Sequence, residues 1–164
     1  MSVKKVWSNH NKGQGLIEFA LILPIFIMFF FSIIDLGRLM YYHTMVDNAT
    51  RVTMRMISVG ISEEEIANNL SSITAPLTGT TTVISSTSTD DQGDLCTQFT
   101  LTPASGHVMI VTVTPPYDTS LTIGEQIGVS IHYKMDFLTP ISTIFGATAD
   151  INATYIGRVE SPPP

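Results

Sequence analysis

Apolar and polar positions along this chain fall into three regimes. From Leu16 to Ile34 the run LIEFALILPIFIMFFFSII is apolar on every side, interrupted only by Glu18 and Ser32. Its 19 residues match the roughly 20 that a helix rising about 1.5 Å per residue needs to cross a hydrocarbon core about 30 Å thick. One membrane span is predicted. Pro24 inside it withholds an amide from the carbonyl of Ala20, so a kink or loosened turn is expected there, although membrane helices tolerate proline.

Beyond the span the apolar positions thin to a stripe. Met45, Ala49, Val52 and Met56 recur at steps of four, three and four, the spacing of one helix face. Only Gly37 weakens helix formation before Val59, so a single helix of about 65 Å is predicted, half of it projecting past the bilayer. Asp47 and Arg51 fit an i to i+4 ion pair on it. The stripe needs cover, and the chain's own domain is the expected partner, ahead of neighbouring helices.

Gly60 then suits a helix end, and SEEEIANNL has Ser62 as N-cap with Glu65 three residues on, a capping box. Ile66, Leu70 and Ile73 mark one face of a short second helix. Glu63 to Glu65 suit the positive end of its dipole better than a metal site. The third regime alternates. Within a Ser, Thr and Gly rich stretch from Ser71 to Asp94, TTVISSTST reads as an edge strand, and CTQFTL and HVMIVTVT follow, the latter closed by Pro115 and Pro116. At residues 127 to 137, six apolar positions from Ile127 to Phe137 alternate with polar or small ones, a half-buried strand. INATYIGRV is a further strand.

Strands after two helices, with no crossover helices between them, predict an α+β fold whose antiparallel sheet lays its apolar face on the projecting helix. LTPISTIFGATA, residues 138 to 149, is unusually apolar for a connection, and three places suit it: over the sheet edge, against a partner subunit, or on the membrane surface.

Charge adds direction. The chain of 164 residues has net charge −6, but residues 1–13 hold Lys4, Lys5 and Lys12 and no acid, leaving five basic against fourteen acidic residues after them. Positive charge just before a span favours the cytoplasmic side, so everything after Asp35 is expected outside. The acidic body lacks the basic patch that nucleic acid requires. Cys96 is the single cysteine, which excludes an internal disulfide. The apolar run exceeds a secretory core of about 7 to 15 residues and no small-x-small cleavage site follows it. No nucleophile elbow, HExxH pair or phosphate loop is present, and the four histidines are scattered. Asn48, Asn69 and Asn152 begin glycosylation triplets to which no function is assigned.

A Gly, four residues, then Glu-Phe and an apolar helix behind a basic leader resembles the start of type IV pilin-like precursors; here these are Gly13, Gln14 to Ile17, Glu18 and Phe19. The continuation, with the Leu-Pro pair at Pro24, Asp35 before Gly37-Arg38, and the Asn-Ala-x-Arg stretch ending at Arg51, resembles more narrowly the TadE-like family of tight adherence pilus systems. The likeness covers about residues 13 to 59.

This resemblance implies a non-enzymatic pseudopilin without cofactor, metal or small-molecule substrate, held in the bacterial inner membrane or incorporated in a pilus. It implies cleavage between Gly13 and Gln14 by a prepilin peptidase, although Gly15 offers a second bond. Other pilins, inner-membrane pilus assembly proteins and membrane lipid are the implied partners. Removal of the leader would put a new α-amino group on Gln14, a cation for a neighbour's Glu18; the plainer alternative is a Glu18 that reaches the inner headgroups unpaired. Asp35 and Arg38 are expected to pair at the outer boundary beside Tyr41 and Tyr42. The expected organisation is a leader at 1–13, a span at 14–36, a projecting helix at 37–60, an extracytoplasmic domain at 61–160 and a disordered tail at 161–164. The competing reading is a permanently anchored binding or scaffold module that keeps its leader.

Overall fold

The computed structural model describes residues 11–79, 81–89, 93–103, 106–118, 120–139, 142 and 146–163. Most of the basic leader and much of the apolar connection after Thr139 lie outside these residues.

Helix α1 runs without interruption from Asn11 to Ser58, through Pro24. At about 1.5 Å per residue it is a rod roughly 72 Å long. Among the described residues its lower half is exposed along nearly its whole length. From Asp35 upward it packs on the domain, and the buried stripe is wider than the spacing of Met45, Ala49, Val52 and Met56 suggests. Val46, Ala49, Thr50, Thr53, Met54, Met56 and Ile57 are all buried, while Met45 and Val52 are only partly so. The added positions are Val46, Met54 and Ile57 together with two threonines. The Thr50 hydroxyl donates to the Val46 carbonyl at 2.7 Å, so its polar group is satisfied within the helix and its methyl is free to join the core.

Helix α2, Glu63–Thr78, starts at Ser62, whose side chain accepts from the Glu65 amide at 3.4 Å. It runs past Ile73, the last position marked on its expected face, to Thr78. Thr74 and Thr78 are buried and donate to the carbonyls of Leu70 and Thr74 at 2.7 and 3.0 Å. Part of the Ser, Thr and Gly rich stretch is thus the inner face of this helix.

Five strands follow: β1 Thr81–Thr89, β2 Leu95–Pro103, β3 Met109–Thr114, β4 Gln126–Asp136 and β5 Thr148–Arg158. They form one antiparallel sheet in the order β1-β2-β3-β4-β5, so each strand pairs with its neighbour in sequence and β1 is indeed an edge. The alternation predicted for residues 127 to 137 is observed: Ile127, Val129, Ile131, Tyr133 and Met135 are buried and Phe137 half-buried. Both helices cover the same face, α1 over β4 and β5 and α2 over β1 and β2. Between the layers lie Phe99, Leu101, Val111, Ile131 and Ile57, each contributing about 1.5–3 kcal/mol by leaving water. The opposite face is open and polar. Gln98, Thr112, Ser130 and Thr154 form one row across β2 to β5.

Three joints lock α1 to the domain. Gly157 of β5 lies so close to the rod that a Cβ added there would sit 2.5 Å from Met54 Cε. At the top, the amides of Glu160 and Ser161 donate to the Ser58 carbonyl at 2.7 and 3.0 Å, tying the start of the C-terminal segment to the helix end. Beside it, the buried Tyr117 hydroxyl donates to the Ile61 carbonyl at 2.6 Å. Burial, with the negative Glu63 nearby, pushes that phenol up to about 12. The third joint, at the base, belongs to the candidate site.

Candidate assembly site

The sequence-derived site residues all lie on α1, in two groups about 26 Å apart along the axis. The lower group begins with Gly13 and Gln14 in the first turns of the helix, where Gly13 and Gly15 face open space. Glu18 is exposed, and the Gln14 side-chain amide donates to its Oε1 at 3.4 Å, one turn away. Gln14 and the carboxylate therefore share one helix face.

Everything above them is apolar and uncovered. Phe19, Ile22 and Phe26 are each about 60% exposed, and together with Leu23 they line a shallow apolar hollow on one side of the rod. A helix that is apolar all round yet unpacked is stable only in lipid or against other apolar helices. Among the described residues this is the one helix long and apolar enough to cross a membrane. Glu18 stands near its start. A carboxylate costs about 2.5–3.5 kcal/mol at the centre of a span and less toward the ends, so the position lowers the penalty without removing it.

Asp35 is the third joint. It is only 2% exposed, at the point where the rod leaves its apolar run. Its Oδ1 accepts from the Leu138 amide at 3.2 Å and from Arg38 Nη1 at 3.3 Å. Its Oδ2 accepts from the Thr139 amide at 3.2 Å and the Thr139 hydroxyl at 2.6 Å. A buried anion is tolerated when its lone pairs are filled in this way. Arg38 also reaches the Tyr42 hydroxyl at 3.4 Å and the Asp136 carbonyl at 3.5 Å, and lies over the Tyr42 ring. Tyr42 in turn meets Tyr133 edge-on, with centroids 6.1 Å apart.

The expected Asp35–Arg38 pair is thus present, but it is half of a larger clasp. Leu138 and Thr139 could not be read as partners of Asp35 from the sequence, because they lie about a hundred residues away and bond it through two main-chain amides and a hydroxyl, none of which carries a charge. The one available signal was an acid directly after an apolar run, which needs partners. Gly37 is exposed, with open space where a side chain would begin. His132 on the polar face of β4 has Nε2 3.5 Å from Asp150 Oδ1, across the strand pair. Among the described residues no cluster of three or more His, Cys, Asp or Glu could hold a metal ion. What the two groups offer is recognition: an exposed anion in apolar surroundings, and a buried anion committed to a loop.

Comparison with known proteins adds one finding. No curated protein and no solved structure matches the chain. Residues 13–55 match the family model described as TadE-like protein. The matched segment takes in both groups of site residues and nearly all of α1, and over it the chain is similar to TadE-like proteins.

Proposed function

We propose that the protein is a pseudopilin of a Tad pilus system, a non-enzymatic component that initiates, caps or joins the fibre. It is inserted with its N-terminus in the cytoplasm and its domain outside, and a prepilin peptidase cuts it between Gly13 and Gln14. Other pilins and the inner-membrane assembly proteins are its partners. The observation that carries this reading is the exposed Glu18 at the foot of an unpartnered apolar rod, within the segment that matches the family.

Cleavage would free an α-amino group on Gln14, four residues and about 6 Å below Glu18 along the helix. That cation and the carboxylate of a neighbouring copy would each offset the other's burial once the rods lie side by side in hydrocarbon. Because the amine stands about 6 Å below the residue that bears the carboxylate, pairing also sets the axial stagger of the copies.

Two measurements test this. The intact mass of protein extracted from membranes containing active peptidase should correspond to a chain starting at Gln14; a full-length mass with normal fibres overturns it. Glu18→Gln should insert as the parent does but assemble poorly, and normal piliation in that variant refutes the pairing.

A further inference from the structure

We infer that the domain rests on the bilayer through Leu138, whose side chain enters the outer headgroup layer. This rests on the reading of Leu16 to Ile34 as a membrane span with the domain outside.

The height of Leu138 is set by Asp35. Asp35 follows the last residue of the apolar run, so its Cα stands about 1.5 Å beyond it. Helical side chains tilt toward the N-terminus, which here means toward the membrane, and the Asp35 carboxylate is lower still. The Leu138 amide is bonded to that carboxylate at 3.2 Å. Leu138 therefore lies within several ångström of the hydrocarbon boundary, inside the roughly 5–7 Å that the headgroups occupy on each side.

At that level Leu138 is 72% exposed. Ile33, Ile34 and Leu36 of the rod are also uncovered, so the leucine extends an apolar surface that already meets lipid. The polar groups around it suit the same depth. Arg38, one turn above the boundary, is partly exposed and can reach lipid phosphate. Tyr41 is exposed a turn higher, where aromatic rings favour the interface. Asp136, the acid that would repel an anionic headgroup, is hydrogen-bonded to His107 Nε2 at 2.8 Å.

The test uses the full chain in vesicles of phosphatidylethanolamine and phosphatidylglycerol, with Trp7→Phe to remove the single native indole. Leu138→Trp then reports the rim and Phe30→Trp, in a second sample, reports the span. The indole introduced by Leu138→Trp should emit at shorter wavelength than free indole in water. Lipids brominated near the headgroup should quench it more than those brominated near the chain ends, and aqueous iodide should barely reach it. Adding Asp35→Asn should shift quenching from bromolipid to iodide. Free access of iodide at 138, with Phe30→Trp quenched by bromolipid, overturns the inference and leaves the span intact. Loss of bromolipid quenching at both positions overturns the span reading as well. Protection from iodide without bromolipid quenching places a protein chain over Leu138 and equally overturns it.

Discussion

Replacing Asp35 by asparagine preserves shape and removes charge, and the hydrogen-bond pattern dictates the outcome. Each carboxylate oxygen accepts from two donors: Oδ1 from the Leu138 amide and Arg38, and Oδ2 from the Thr139 amide and hydroxyl. An asparagine can present its oxygen to one pair only. Its NH2 group then faces the other pair, and although the Thr139 hydroxyl can rotate to accept, a main-chain N–H cannot. Hydrogen bonds to a charged group contribute about 1.5–3 kcal/mol and a stranded buried donor costs about 1–3 kcal/mol, so the clasp should weaken by about 2–4 kcal/mol. The assay is amide hydrogen exchange of the full chain in micelles. At tenfold per 1.4 kcal/mol, exchange at Leu138 and Thr139 should quicken by roughly 30- to 700-fold, while the amides of Val129 and Ile131 in the middle of the sheet hold their rates. Arg38→Gln, which breaks a partly exposed pair worth at most about 1 kcal/mol, should change them by no more than about fivefold. Rates within about threefold of the parent in Asp35→Asn would refute the reasoning, as would equal acceleration across the whole sheet.

Three further outcomes are expected. Gly157→Ala places a methyl 2.5 Å from Met54 Cε, the far end of a flexible side chain that can turn aside, and should lower stability by no more than about 1 kcal/mol; paired with Met54→Ala, its denaturation midpoint should fall by less than the sum of the two single changes. Phe99→Ala, at a fully buried position, should cost about 3–5 kcal/mol by the same measurement. Tyr117 has its folded value raised to about 12 from an ordinary 10.0. Its contribution is therefore complete below pH 10 and declines as pH climbs from 10 toward 12, because the unfolded phenol ionises first. Tyr117→Phe should flatten that part of the stability profile and remove the highest-titrating step from the tyrosinate absorbance.

Periodicity made much of this fold legible in the sequence. Ile127 to Phe137 alternate without a fault, and the strand they predict is a buried member of the sheet. The apolar run from Leu16 needed only counting. Where side chains hid their role, the reading fell short. Thr50, Thr74 and Thr78 look polar in sequence, yet each returns its hydroxyl to the preceding helical turn and packs inward, which widened one stripe and lengthened α2. At the base of the domain, the pairing of Asp35 with Arg38 was visible because charge beside an apolar run has few benign explanations. The loop partners of Asp35 were not, since main-chain amides are present at nearly every residue and only the tertiary fold decides which two of them meet the carboxylate.

The three joints on α1 splint the rod from Asp35 to Ser58, so that length cannot flex without parting helix from sheet. Compliance is left to the portion below, where Pro24 has already deleted one rung of the ladder. From Pro24 to Ser58 the rod measures about 51 Å, so every degree of bend at the proline sweeps its outer tip sideways by roughly 0.9 Å. On the proposed reading of Leu16 to Ile34 as a membrane span, the pivot lies inside the bilayer, and modest tilts there translate into large excursions of the head.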